Sequence, residues 1–131
     1  MIVVDSSYAL ALVMPDEQRP TSMPTVVQDD MAAPFIWPLE IANALRSNIR
    51  RGRLLVNGVE ALLQRIAGLQ VDIVGPTHTH PQPYFDAAQE HDLTPYDATY
   101  IAMAVRFTAA LATRDRAMAA AAERLGIQTY S

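Results

Sequence analysis

Met1-Ile2-Val3-Val4-Asp5-Ser6-Ser7-Tyr8-Ala9-Leu10-Ala11-Leu12-Val13-Met14 opens the chain and sets its architecture. The first four residues form a short, continuous apolar run, the pattern of a strand buried on both faces at the centre of a sheet. Asp5-Ser6-Ser7 breaks that run and offers side chains suited to cap a helix. Residues 8–14 then read as a short helix, and Pro15 stops it. A strand that turns within three residues into a helix begins a strand–helix–strand unit, and the rest of the chain continues the alternation.

Residues 16–24 read as a polar, proline-containing loop and 25–31 as helical. Pro34-Phe35-Ile36-Trp37 reads as a short strand ahead of Pro38. Residues 39–51 predict an amphipathic helix, because Leu39, Ala42, Leu45 and Ile49 recur at helical spacing and Gly52 suits its C-terminal cap. A second such helix follows over 56–69. Val71-Asp72-Ile73-Val74 reads as a strand closed by Gly75-Pro76. Residues 81–91 form a helix with proline in its first turn. Thr94-Pro95 opens another helix that runs to about residue 108, followed by a strand over 110–113, a helix over 116–125 and a strand over 127–130. No repeat, low-complexity tract or linker interrupts this order. The class is α/β, a parallel sheet covered on both faces, and a single domain is expected over residues 1–131.

Half of the 131 residues are hydrophobic, enough for a substantial core, and the net charge is −4. That charge argues against a protein that holds nucleic acid by bulk attraction. It leaves room for an enzyme that acts on nucleic acid through bound metal and a local arginine patch. The absence of cysteine excludes disulfides and thiolate chemistry. With no charged and apolar leader and no apolar run near ~20 residues, neither secretion nor a membrane span is expected, and the chain reads as a cytoplasmic protein. All ten basic residues are arginine, which excludes a catalytic lysine.

The chemistry is carried by acids at the edges of these elements. Asp5 ends the first strand, Glu40 and Asp97 open helices, and Asp115 follows Leu111-Ala112-Thr113-Arg114. In open α/β sheets, ligands gather beyond the carboxyl ends of the strands, and the simplest topology brings all four acids there. Four carboxylates without an ammonium partner repel one another unless a divalent cation joins them. Each acid also has a plainer reading. Asp5 and Asp115 can cap helices, and Glu40 and Asp97 suit the positive end of a helix dipole.

Ser6 and Thr113 stand where hydroxyls can orient a carboxylate, and Asn43 shares a helix face with Glu40. Arg46, Arg50, Arg51 and Arg53 cluster on and after the helix that carries Glu40, while Arg114 and Arg116 flank Asp115. These are candidates for phosphate contact, Arg46, Arg50 and Arg114 foremost, or simply solvated cations. His78-Thr79-His80 has too few companions for zinc and reads as a solvated turn.

Four segments, in this order and spacing, resemble a PIN-domain ribonuclease of the VapC-type toxin group: Ile2-Val3-Val4-Asp5-Ser6-Ser7; Pro38-Leu39-Glu40-Ile41-Ala42-Asn43-Ala44-Leu45; Tyr96-Asp97-Ala98-Thr99-Tyr100-Ile101-Ala102-Met103-Ala104; and Leu111-Ala112-Thr113-Arg114-Asp115. The resemblance covers essentially the whole chain. It implies an α/β/α sandwich around a parallel sheet. It also implies that Asp5, Glu40, Asp97 and Asp115 hold Mg2+ or Mn2+, supported by Ser6 and Thr113, for hydrolysis of RNA phosphodiesters. A homodimer and a cognate antitoxin that blocks the site are implied as partners. Three rivals stand beside it. A phosphotransfer domain built on Asp5 lacks the usual lysine, and Ser7 occupies the place of a second aspartate. A catalytically inactive PIN-like binding module has no need of all four acids. Cleavage of DNA would use the same acid cluster.

Overall fold

A computed structural model describes residues 1–131. The opening apolar run forms β1 (Ile2–Val4), and residues from Ser6 turn at once into α1 (Ser6–Val13). After α2 (Met23–Val26) come β2 (Met31–Pro34) and α3 (Trp37–Arg50). A single 3-10 turn (Val56–Gly58) leads into α4 (Val59–Gly68) and β3 (Asp72–Val74). Then α5 (Pro81–His91), α6 (Pro95–Phe107), β4 (Ala110–Ala112), α7 (Arg116–Arg124) and β5 (Thr129–Tyr130) complete the chain.

The five strands form one sheet in the order β3-β2-β1-β4-β5, and every pairing is parallel. β1 is the central strand and is wholly buried, as its unbroken apolar run requires. Parallel neighbours need crossovers long enough to hold a helix, and these helices cover the sheet. α6 packs across β1, β2 and β4 with α5 and α7 against it, while α1 packs on α3 and α4. This is the α/β/α arrangement. Val3, Val4, Tyr8, Ile101, Leu111 and Met118 are among the side chains closed off from solvent at its centre. Each large apolar side chain buried in this way stabilises the fold by roughly 1.5–3 kcal/mol.

Three expectations need correction. The segment over 25–31 is one helical turn only, Met23–Val26, and the chain reaches extended form by Met31. The strand expected at residues 34–37 lies three residues earlier. Met31, Ala32 and Ala33 have the apolar character but not the β-branching of strand residues. They are drawn into the sheet by pairing on both sides, with β1 and with β3, so tertiary context overrides local preference. Trp37 instead begins α3, whose first turn accommodates Pro38 because its missing N–H has no helical partner there. The third correction is the phase of α3: its buried stripe is Trp37, Ile41 and Leu45, whereas Leu39 is 71% exposed and Ala42 also faces solvent. Gly52 does follow α3 with φ +72, the left-handed conformation that ends helices and that glycine adopts without strain.

Candidate active site

In a sheet of order β3-β2-β1-β4-β5 the winding direction reverses between β1 and β4. The connections leaving those two strands diverge and open a crevice at their carboxyl ends, the general location of ligand sites in this class. Asp5 directly follows β1, and Thr113, Arg114 and Asp115 directly follow β4.

Asp5 is 3% exposed, and its carboxylate is held from three directions. The Ser7 hydroxyl donates to Oδ1 at 2.7 Å, the Tyr8 backbone N–H to the same oxygen at 2.8 Å, and the Thr113 hydroxyl to Oδ2 at 2.6 Å. Both hydroxyls also accept a backbone N–H from the segment after β4: Arg114 donates to Ser7 at 3.1 Å and Asp115 to Thr113 at 3.0 Å. Two relays therefore run from the β4 turn through a hydroxyl to the two oxygens of Asp5. A carboxylate has about four acceptor positions. The three donors leave one of them, on Oδ2, for a ligand.

Asp115 caps α7, its Oδ1 accepting the Met118 N–H at 2.8 Å, and Oδ2 remains free. Glu40, in the first turn of α3, accepts the Tyr100 hydroxyl on Oε1 across a separation of 60 residues, which leaves Oε2 free. Asp97 lies in the first turn of α6, where Thr94 caps the helix by accepting the Asp97 N–H at 3.1 Å. The Thr94 hydroxyl also reaches the Asp97 carboxylate, which lowers its pKa against the larger effects of burial and of Asp115.

The four acids feel one another. Burial is the first cause that raises the carboxyl pKa of Asp5, Glu40 and Asp97. Added to it are the charge of Asp115 on Asp5 and on Asp97, and the charges of Asp97 and Asp5 on Glu40. No arginine neutralises them, since the one ion pair in the molecule joins the N-terminus to Asp29. The Tyr100 hydroxyl is pushed far above its ordinary pKa, first by burial and then by its bond to Glu40, so it remains a permanent donor. The free positions on Asp5, Glu40, Asp97 and Asp115 are all hard oxygens without a compensating cation, a donor set that suits Mg2+ or Mn2+. As placed, no three of them stand close enough together to enclose an ion.

Of the supporting residues expected from sequence, Thr113 touches Asp5 and Asp115, but Ser6 touches neither. Ser7 takes the role expected of Ser6, and Ser6 lies instead near the Tyr100 hydroxyl. Asn43 is exposed and makes no side-chain hydrogen bond to an acid, and Arg46 and Arg50 are solvent-facing without ion pairs. Arg114 and Arg116 do not pair with Asp115; with it they line a polar groove beside Thr113. His80 caps α5 through its ring nitrogen at an exposed position, in keeping with a turn.

Two residues escaped the sequence reading. Ser7 sits two positions after a capping aspartate, where a hydroxyl folds back on it. Tyr100 sits three positions after Asp97, on the same helical face, but looks like one more apolar residue in a buried helix.

Comparison with known proteins agrees with this frame. Residues 2–124 match the PIN domain. The chain is 32% identical over 126 residues to Ribonuclease VapC3 of Pyrobaculum aerophilum, covering 90% of this chain and 92% of that one. It is 33% identical over 120 residues to Ribonuclease VapC9 of Mycobacterium tuberculosis, covering 88% and 86%. Among solved structures, that of PAE2754 from Pyrobaculum aerophilum superposes with a TM-score of 0.73 at 22% identity, over 98% of this chain and 82% of that one, and shares the fold.

Proposed function

Because the chain belongs to the PIN-domain family, as the match over residues 2–124 shows, we propose that it is a divalent-cation-dependent endoribonuclease, the toxin of a toxin–antitoxin pair. The observation that carries this reading is the group Asp5, Glu40, Asp97 and Asp115, mutually repelling and uncompensated at the crevice between β1 and β4. Its similarity to proteins named VapC ribonucleases supports RNA as the substrate. The proposal takes residues 1–131 as a single PIN domain that works in the cytoplasm as a homodimer, with an antitoxin as inhibitor. The apolar side chains of Leu55, Val56 and Leu63, exposed around the start of α4, support a self-association surface. No helix is long and apolar enough to cross a membrane.

Mg2+ or Mn2+ held by the four acids would supply Lewis-acid polarisation of a phosphoryl oxygen and a water acidic enough to attack at neutral pH. The chain's own part is geometry. Ser7 and Thr113 fix the Asp5 carboxylate, Tyr100 fixes Glu40, and Thr94 steadies Asp97. Arg114, Arg46 and Arg50 are the proposed phosphate contacts. An antitoxin arginine placed among the acids would compete with cation and substrate together.

The test is cleavage of pooled RNA by purified protein with Mg2+ or Mn2+, then with EDTA, beside Asp97→Asn. Cuts that need the metal and fall at least a hundredfold in the variant are expected. A folded Asp97→Asn protein with undiminished activity would sink the site. A second reading, the inactive binding module, draws on the openness of the acid group, since no three acids enclose an ion. It predicts no cleavage and no rise in melting temperature with Mn2+, where a working site gains stability by mass action.

A further inference from the structure

A cleft of about 270 Å3 opens beside the acid group, between α5, α6 and the carboxyl ends of β2 and β3. We infer that it takes one unstacked base of an RNA strand, from a nucleotide flanking the phosphate at the four acids. This inference rests on the nuclease reading of those acids.

Position is the first argument. Pro95, Ala98 and Thr99 line the cleft from the opening turns of α6, the turns that also carry Asp97 on a neighbouring face. Phe35 follows β2 and His78 follows β3, so the cleft opens at the same sheet edge as Asp5 and Asp115.

Its walls are the second argument. The Tyr84 ring meets Phe35 at 6.5 Å and 63°, and His78 at 5.9 Å and 79°. The Tyr84 hydroxyl donates to the His78 carbonyl at 2.7 Å, which pins the β3–α5 loop against α5. Rings set at these angles form the sides of a box, not a closed stack, and unstacked bases are held against aromatic side chains in this way.

Charge and size are the third. The chain has 14 acids and a net charge of −4. Yet no Asp or Glu lines this cleft, while His78 and Arg106 do, and neither makes a salt bridge. An apolar box with an arginine at its margin and no acid in its lining, in an acidic protein, suits an aromatic group that carries phosphate. Its volume falls just below the ~300–1,000 Å3 of common ligand pockets, room for one heterocycle but not for a peptide helix. On the side of β4, and reaching the acids at Asp115, lies the groove of Thr113, Arg114, Asp115 and Arg116. A strand crossing from that groove to the cleft passes its backbone over the four carboxylates, with Arg114 and Arg116 at one end of its path and the aromatic cleft at the other.

The test is fluorescence anisotropy of the full chain with fluorescein-labelled RNA decamers of mixed sequence, and with an abasic decamer of equal charge, in EDTA at low salt so that no chemistry intervenes. Base-bearing decamers are expected to bind on the order of tenfold more tightly than the abasic one, the scale of a single base–aromatic stack. Tyr84→Ala should remove that difference and leave abasic binding unchanged, and Tyr84→Phe should restore it. Ala102→Trp fills the cleft while leaving every ring in place, and should act like Tyr84→Ala with an unaltered melting temperature. Equal binding of both decamers by the wild-type chain overturns the inference, as does an equal loss for both in Tyr84→Ala or no binding at millimolar protein. It is equally overturned if the variants alter oligomeric state by light scattering and leave RNA affinity unmoved, which would make the cleft a contact between copies. Failure of the nuclease reading looks different: base-dependent binding stays intact while Mn2+ produces no cut.

Discussion

Asp5 caps α1 and belongs to the acid group at once, and the two roles are compatible because three donors leave it one open acceptor position. Asp97 is the opposite case: it has only the Thr94 hydroxyl as a donor and stands near the charge of Asp115. Its place in the first turn of α6 brings a dipole stabilisation of ~0.3–1 kcal/mol. The raised pKa says that burial and like charge outweigh it. Asp5, Glu40 and Asp97 all hold a proton more tightly in the folded chain than in the unfolded one. Above their ordinary values of 3.8 for Asp and 4.5 for Glu, the folded state therefore binds more protons than the unfolded state. The stability of the metal-free protein must fall as pH rises from there through the raised values, and it stays low above them. Asp97→Asn removes one contributor. In EDTA at pH 7 its melting temperature should rise by a few °C, the scale of ~1 kcal/mol, and the gap should shrink near pH 4. A variant that melts at or below the wild type in EDTA at pH 7 would show that the Asp97 charge is compensated. Tyr100→Phe tests the other half of the site. It removes the one donor to Glu40, an interaction with a charged group of ~1.5–3 kcal/mol. Cleavage should drop about tenfold or more, the melting temperature should fall by several °C, and the acid limb of the pH–rate profile should move upward because Glu40 loses the bond that lowers its pKa. An unmoved profile would reduce Tyr100 to a packing residue.

At the scale of the element, what was legible was the alternation of strand and helix and the chemistry of their ends. Thr94 before Pro95, Asp115 before Arg116 and Gly52 after Arg51 mark helix ends by local rules, and the structure follows each of them. What was hidden was phase. Around α3 the candidates for a buried stripe were Leu39, Ala42, Leu45 and Ile49, yet Trp37, Ile41 and Leu45 face the core. Both sets are apolar and helically spaced, so only the neighbours decide between them. Ser7 against Ser6 is the same ambiguity one residue wide. A mutation pair reads the phase directly. Leu45→Ala removes a side chain that is 4% exposed and should cost about 2–5 kcal/mol. Leu39→Ala, at a position 71% exposed, should change stability by less than ~0.5 kcal/mol. Urea unfolding of both variants checks it, and comparable losses would mean that Leu39 is covered in solution by another molecule.

For the whole molecule, the approach of Asp5 and Asp115 to one sheet edge was foreseeable because it follows from topology: residues after parallel strands share one edge, and a sheet whose order reverses between β1 and β4 opens a crevice there. The Tyr100–Glu40 bond, across 60 residues, was not foreseeable, because nothing local selects that partner. The charge balance sets how such a crevice can hold a polyanion. With a net charge of −4 and ten arginines, attraction cannot be spread over the surface as in a basic nucleic-acid binder. Under the proposed function it is confined to a few arginines and to the divalent ion proposed for the acids. Counterion release then fixes a measurable quantity, since each neutralised phosphate of a single strand contributes about −0.7 to the slope of log affinity against log salt. Three arginine contacts, those proposed for Arg46, Arg50 and Arg114, predict a slope near −2 at constant Mn2+, measured with Asp97→Asn if that variant still binds RNA, so that the strand stays intact. Arg114→Ala should make the slope shallower by about 0.7 and weaken binding without changing which RNA is preferred. A slope of −5 or steeper would require more phosphate contacts than these three arginines supply, and would move the RNA path away from the crevice.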